Sequence, residues 1–395
     1  MKFLVVHNTY TEITGEDLLI QIFNASLREQ GHFEVIEYCR DSKSFHGLPL
    51  LKKIRQLIQG NLPFYVPRDF RDLLERERPD IALIHNTIPL INPWILVTLK
   101  QRGIPVLASI YNYRLLCPRG TCVRNEKFCD LCYRWTPIWA VFFNCLGKYT
   151  YSLIYAYRYS LQRYLLKTIT AFICSVKYRT ELLQTYLPYH TVYFLTHYIG
   201  IDPALMASTA PRQNHILFAG RFVHDKGVRI VLECARRMPH IPFKLYGEGP
   251  LAGMCRHFIA THHLKNVELH PWAPHHENLK NLRDAKIFLF PSVYREFGRV
   301  LCEAMLLKTP VVVARNAVSL TIIRPHENGF LFDPNDITSL IDVLEKIWYD
   351  EPLLGRVAEQ AHNEVRHYNN AHFCIRQVQD ICTKVYQKKS TSIVH

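Results

Sequence analysis

The chain has no run approaching the roughly 20 consecutive apolar residues that a membrane-spanning helix needs, so no segment of its 395 residues is predicted to cross a bilayer. Its opening, Met1 to Asn8, is too short for the apolar core of a secretion signal. That stretch reads as a first strand, and the chain is expected to be cytoplasmic. Neither a short internal repeat nor a low-complexity tract occurs. There is also no Asp-x-Asp pair of the kind that holds a catalytic divalent cation, so no metal or other cofactor is expected to be required for catalysis. Acids are the scarce charge: 34 Asp and Glu stand against 48 Lys and Arg, a formal net charge of +14. Such a balance predicts attraction to polyanions, whether nucleic acid, anionic lipid or a diphosphate carrier, without choosing among them.

The length and the 48% hydrophobic content exceed what one compact core usually supports, so two domains are expected. Twelve cysteines scattered along a chain without a secretion signal argue for reduced thiols rather than a disulfide framework.

Short β-branched or aromatic runs alternate with amphipathic segments. In the first half, 2–7, 33–39, 81–86, 105–111, 171–175 and 192–197 read as strands, with helices such as 17–30 and 68–78 between them. In the second half the strands are 216–220, 243–247, 267–270, 287–290 and 311–314. Asn328-Gly329 marks a turn, and Asp336 is suited to cap a helix carrying Ile337, Leu340, Ile341, Leu344 and Ile347. This alternation predicts an α/β chain of two Rossmann-like domains with parallel sheets. The expected boundaries are an amino-terminal domain over 1–199, a linker over 200–213, which lacks apolar periodicity, a carboxy-terminal domain over 214–365 and a closing helix over 366–395 that packs back on the first domain. The polar tail after Gln387 is expected to fray.

Two loops in the second half carry the chemistry. In the first, strand 216–220 ends at Gly220-Arg221 and continues to Lys226-Gly227 at the start of a helix. A diphosphate concentrates negative charge, so its cradle needs exposed amides at a helix start and fixed cations, with glycines that let the backbone come close. The second loop runs from Phe290-Pro291-Ser292 through Glu296-Phe297-Gly298 to Val300 and Glu303. Its amides can also face phosphate, and a carboxylate at Glu303, expected on the first helical turn, can accept both hydroxyls of a ribose diol.

Taken in this order, the loops resemble those of the retaining glycosyltransferases of family 4, which have the GT-B fold, two Rossmann-like domains facing each other across a cleft. The resemblance covers nearly the full length. It implies that Gly220, Arg221, Lys226 and Gly227 hold the donor diphosphate and that Gly247-Glu248-Gly249-Pro250 is the matching Gly-acid-Gly-Pro turn. The family's pair of acids separated by seven residues is matched only at Glu303, because the position eight residues earlier is Arg295. Either the loop is re-registered so that the neighbouring Glu296 reads the donor sugar, the favoured reading, or Arg295 faces an unusual, acidic sugar. A degenerate, inactive transferase is a third reading.

The first half resembles one subgroup of that family, in Val6-His7-Asn8, Gly15-Glu16-Asp17, His85-Asn86 and Asn112-Tyr113-Arg114-Leu115-Leu116-Cys117-Pro118. The resemblance implies that Gly15 helps hold the donor and that His85, Asn86, Tyr111, Asn112 and Arg114 form the acceptor side. Tyr111 stands where family members carry histidine, and it still offers a hydrogen-bond donor. His85 reads equally as a structural residue at a strand end. The resemblance includes Cys117, Cys129, Cys132 and Cys145, with Cys122 particular to this chain. The Cys129-x-x-Cys132 spacing suits structural zinc as well as ordinary reduced thiols. From 133 to 167, eleven aromatics interleave with Lys148, Arg158, Arg163 and Lys167, as in a helix lying on an anionic membrane surface or one packing its apolar face on the sheet.

The implied activity is transfer of a hexose-type sugar with retention, from a UDP- or GDP-sugar to a hydroxyl of a glycan or lipid-linked acceptor. Arg221, Lys226 and Glu296 are the expected catalytic residues, and the enzyme would lie in the cytoplasm or on the inner face of the membrane. Rival readings are a nucleotide-sugar epimerase, a nucleic-acid-modifying glucosyltransferase, which the positive charge favours although nucleic acid is not the expected partner, and a non-catalytic sugar-nucleotide or membrane-binding scaffold.

Overall fold

A computed structural model describes residues 1–10, 15–29, 31, 33–124, 127–196, 198–208, 210–293 and 298–392. They form two units, Met1–Tyr198 with Ala371–His395, and Ile199–Asn370.

The strands of the first unit are β1 (Lys2–Thr9), β2 (Glu34–Asp41), β3 (Ile81–Asn86), β4 (Val106–Ile110), a short hairpin of β5 (Val123–Arg124) and β6 (Lys127–Phe128), β7 (Ala171–Cys174) and β8 (Thr191–Phe194). Except for the hairpin they make one parallel sheet in the order β2-β1-β3-β4-β7-β8. β3 and β4 are buried throughout, as expected for central parallel strands covered on both faces. The strand order reverses at β1, so the crevice beyond the carboxyl ends of β1 and β3 is the switch point where open α/β sheets bind ligands.

The second unit holds β9 (Gln213–Ala219), β10 (Phe243–Tyr246), β11 (Val267–His270), β12 (Ala285–Phe290), β13 (Val311–Ala314) and β14 (Phe330–Phe332), all parallel, in the order β11-β10-β9-β12-β13-β14. Alternate residues feed two cores. Ile216, Phe218, Ile287 and Leu289 join one cluster, while Leu217, Ala219, Phe288 and Phe290 join the other. Each of these Ile, Leu and Phe side chains contributes about 1.5–3 kcal/mol by leaving water. The switch point here lies between β9 and β12.

Residues 200–213 are not a free linker. Ile199 and Ile201 are buried in the second unit, Ile199 N donates to Tyr368 O at 2.9 Å, and Asn369 bonds both the amide and the carbonyl of Ile201. Arg212 spends its guanidinium on the carbonyls of Arg283, Ala285, Leu307 and Lys308 and on the Thr309 hydroxyl. The closing helix, Ala371–Ser392, places Ile375, Val378, Ile381 and Val385 among Phe3, Val5, Phe23 and Leu27 of the first unit. β14 carries no period-two signal, being only three residues and wholly buried, and sequence patterning misses it.

Candidate functional site

Three loops meet at the carboxyl ends of β9, β10 and β12. Gly227 follows a single 3-10 turn, His224–Lys226, and has φ +72°, a left-handed conformation that a side chain resists. A Cβ there would stand 2.2 Å from the Pro291 carbonyl oxygen, so the Arg221–Gly227 loop can lie against the Pro291–Val293 loop only because the residue is glycine. Val293 N and Ser292 Oγ both donate to Asp225 O, at 3.3 and 3.2 Å, and Asn316 Nδ2 donates to Ser292 O at 3.0 Å. On the other side, Phe222 N donates to Glu248 O at 2.8 Å and Gly220 N to Tyr246 O at 3.0 Å. Gly247 is held so close to Gly220 that a Cβ would meet its carbonyl oxygen at 2.0 Å. Glu248 itself is exposed.

Two helices start from this cluster. Val228–Arg237 begins at Gly227 and Arg299–Leu306 begins at Gly298, and neither has a side-chain cap, so their first amides are left for an anion. Arg221 is exposed, and Lys226 is half-buried beside Gly227. Gly298 must be small, since a Cβ would press within 2.4 Å of the Phe290 ring. Val300 is half-buried and packs on the core below.

Glu303 is buried and lies one turn further along its helix than its sequence suggests, because the helix starts at Arg299. Its Oε1 forms an ion pair with Arg299 Nε at 2.8 Å, without hydrogen-bond geometry, and is hydrogen-bonded with His275 Nε2 at 3.0 Å. Arg299 Nη2 in turn donates to Ile199 O at 3.0 Å. Among the described residues Oε2 takes no hydrogen bond. Arg299 and His275 escape sequence reasoning: His275 is remote in the chain, though the four-residue spacing of Arg299 and Glu303 is a signal for the pair. Arg295, Glu296 and Phe297 lie outside the described residues.

At the switch point of the first unit, the side chains of His7, Asp17, His85 and Tyr111 converge. His7 Nε2 pairs with Asp17 Oδ1 at 2.9 Å, both buried, and His85 Nδ1 meets Tyr111 Oη at 2.9 Å. The two histidine rings stand edge to face at 6.1 Å. His7 Nδ1 is buried and without a partner among the described residues. Beside them, Arg114 Nη1 donates to Tyr10 Oη at 3.4 Å, and Tyr10 Oη donates to Glu16 Oε2 at 3.3 Å. Burial pushes the Glu16 carboxyl up to about 7, against the opposing pull of Arg114 and His7. Burial likewise holds Tyr111 well above the ordinary phenol range, so it stays a neutral hydrogen-bonding group. Gly15 starts the helix that carries Glu16 and Asp17. Asn86 Nδ2 bonds the Asn8 carbonyl at 2.9 Å and closes its own turn to Ile88, so it shapes the loop. Asn112 caps the turn to Arg114 in the same way. Tyr10, Glu16 and the His7–Asp17 pair are additions that sequence reasoning assigned no role.

Within the 133–167 region, Arg158 is not a surface cation. It is buried, reaches the carbonyls of Gly60, Thr87, Pro89 and Ile91 and the Asn61 side chain, and burial lowers it to about 10. No helix among the described residues is long and apolar enough to cross a membrane. All twelve cysteines are free thiols, and among the described residues no group of three or more His, Cys, Asp or Glu side chains stands at metal-holding geometry.

Residues 207–364 match the family model described as glycosyl transferases group 1. Over 155 residues the chain is 30% identical to the 2-deoxystreptamine N-acetyl-D-glucosaminyltransferase of Niallia circulans, covering 38% of this chain and 40% of that one. Over 180 residues it is 24% identical to the O-antigen chain mannosyltransferase C of Escherichia coli, covering 45% and 48%. The chain thus spans less than half the length of these curated relatives. Among solved structures, sucrose-phosphate synthase from Thermosynechococcus elongatus aligns over 98% of this chain and 99% of its own with a TM-score of 0.69 at 14% identity. Anabaena HepE, solved in complex with UDP and glucose, aligns over 97% and 100% with a TM-score of 0.65, also at 14% identity. The fold is GT-B.

Proposed function

We propose that the chain is a retaining glycosyltransferase that moves a hexose-type sugar from a UDP- or GDP-sugar to a hydroxyl of a glycan or lipid-linked acceptor in polysaccharide or glycolipid synthesis. The observation that carries this reading is the meeting of three glycine-built loops and two uncapped helix starts at the β9–β12 switch point, inside the segment that matches the glycosyl transferases group 1 family. The names of the relatives, which transfer N-acetylglucosamine and mannose, support a hexose-type donor.

The diphosphate lies against the amides that open Val228–Arg237 and Arg299–Leu306, with Arg221 and Lys226 supplying charge. Glu303, fixed through Oε1 by Arg299 and His275, keeps Oε2 for a ribose hydroxyl. As the glycosidic bond breaks, negative charge grows on the leaving diphosphate, and the same amides and cations stabilise it. A diphosphate oxygen on the departing face takes the proton of the acceptor hydroxyl, so configuration is retained. Glu296 is assigned to the sugar hydroxyls. In the first unit, Arg114, Tyr111 and His85 orient the acceptor, and Gly15 is assigned to donor binding.

The acceptor's setting is an anionic membrane surface. Helix Leu50–Asn61 exposes Leu51, Ile54 and Ile58 beside Lys52 and Arg55, and Tyr157 of the neighbouring helix Tyr149–Leu165, which exposes Leu153 and Ile154, donates to Asn61 O. Apolar residues rimmed by lysine and arginine suit a headgroup boundary.

The test is a transfer assay with UDP- and GDP-hexoses and a panel of lipid-linked and soluble sugar acceptors, reading the anomeric configuration of the product by NMR. A product with inverted configuration, or binding of donor without turnover for any acceptor, contradicts the reading, and the second outcome supports the scaffold alternative.

A further inference from the structure

We propose that Cys117, Cys129, Cys132 and Cys145 hold one structural zinc ion. These four cysteines line a single cavity of about 20 Å³ with Arg119 and Arg124, the size that takes one small guest. None of the four is in a disulfide. The void they enclose is therefore walled by four soft ligands and no carboxylate, the donor set that selects zinc over hard cations.

The surrounding backbone has the build of a metal knuckle. The hairpin β5–β6 is closed by Cys129 N donating to Cys122 O at 2.8 Å, and Cys122 adopts φ +52°, which turns its chain sharply. Gly120 N donates to Cys117 O at 2.9 Å, so the chain turns back tightly after Cys117. Cys122 is buried but does not line the cavity, so it is not among the four ligands. Four thiolates around a divalent ion leave two negative charges. Arg119 and Arg124 stand at the cavity wall, and Arg124 Nε is buried without a hydrogen-bond partner among the described residues. An anionic cluster would satisfy that orphaned donor.

Packing supplies little else to hold this segment. Its strands have two residues each and its helices, Leu131–Arg134 and Ile138–Phe142, have four and five, while Trp135, Ile138 and Phe142 are 75%, 62% and 70% exposed. Helices so short do not stand alone in water. A small loop of this kind needs a staple, and binding free energy at a structural metal is folding free energy. The four sulfurs do not themselves stand at metal-holding geometry, so binding would pull them inward around the ion. The knuckle also borders the acceptor-side loop: Tyr113 N donates to Gly120 O at 2.9 Å, and a Cβ on Gly120 would touch the Arg114 side chain at 3.0 Å.

Metal content of the full chain, produced in zinc-supplemented medium, tests the proposal directly. The expected result is one zinc per chain, four sulfur neighbours at about 2.3 Å by X-ray absorption, and thiolate-to-metal charge transfer after cobalt exchange. Cys129→Ser should weaken zinc affinity by more than about 100-fold, beyond what an outer-shell change does, whereas Cys122→Ala should retain the ion. If Cys129→Ser does not fold, the absorption spectrum of the wild-type chain decides alone. A metal-free wild-type chain whose five clustered thiols all react freely with a thiol reagent, and whose melting is unmoved by added zinc or by chelator, overturns the proposal.

Discussion

Replacing Gly227 by alanine should separate the two phosphate loops while leaving every charged side chain in place. The magnitude follows from two features of the residue. Its φ of +72° costs an L-residue about 1–2 kcal/mol, of which roughly 0.4–1 kcal/mol is returned because alanine also restricts the unfolded chain. The new Cβ would lie 2.2 Å from the Pro291 carbonyl oxygen, a backbone atom that cannot rotate away. Relief requires the Arg221–Gly227 loop or the Pro291–Val293 loop to shift by about an ångström, and overpacking of that kind costs about 1–3 kcal/mol. The net loss is about 2–4 kcal/mol in the Ile199–Asn370 unit, which lowers its melting transition by roughly 5–15 °C. Calorimetry reads the stability, and nucleotide-sugar titration of the folded variant at low temperature reads the site. Donor KM should rise at least about tenfold, because the amides of the two loops no longer converge. Gly253→Ala is the control, since it lies in a helix with nothing within 4 Å of the new methyl group and should be neutral or stabilising by up to about 1 kcal/mol. A Gly227→Ala chain as stable as wild type with unchanged KM would refute the reasoning, because the loops would then not depend on that close approach.

Arg299→Met strips a buried carboxylate of its nearest cation, and urea unfolding should register a loss of about 3–5 kcal/mol with a higher donor KM. Arg158→Met takes the guanidinium away from five acceptors at residues 60–61 and 87–91, of which Thr87 O keeps the Ile91 amide, so hydrogen exchange should show those segments opening and stability should fall by about 3 kcal/mol. Glu16 titrates in the folded chain near 7 rather than at its ordinary 4.5, so the folded state holds that proton more tightly. Its contribution is present below about 4.5 and is lost as pH rises through about 7. Glu16→Gln should therefore flatten the pH dependence of stability across that window, by on the order of 3 kcal/mol, as seen in denaturant midpoints at stepped pH. Flotation with phosphatidylglycerol vesicles should recover the wild-type chain, and Leu51→Glu with Ile58→Glu should abolish recovery.

Both sheets are legible in the sequence because their strands are parallel and buried, so runs such as Ile81–Ile84 and Val311–Ala314 stand out as short apolar blocks between turn residues. The loop glycines are legible for a related reason, since Gly227 and Gly247 mark places where only a hydrogen fits. What hides is what depends on distance through space. His275 reaches Glu303 from 28 residues away, and Arg158 turns inward to carbonyls about 70 to 100 residues earlier, so its sign on a basic aromatic stretch misleads. The 200–213 segment reads as linker because its anchoring is through backbone groups of Ile199 and Ile201 and one half-buried arginine, none of which makes a periodic pattern.

The most direct measurement is calorimetric titration of UDP and GDP into the wild-type chain, Arg221→Ala and Lys226→Ala, with melting recorded for each. One of the two nucleotides should bind, and each variant should weaken it by about 10-fold or more, the loss of a charge-assisted hydrogen bond, with melting of the empty protein unchanged. Equal affinity in all three chains, or no nucleotide binding to the wild type, would contradict a diphosphate site at the β9–β12 switch point.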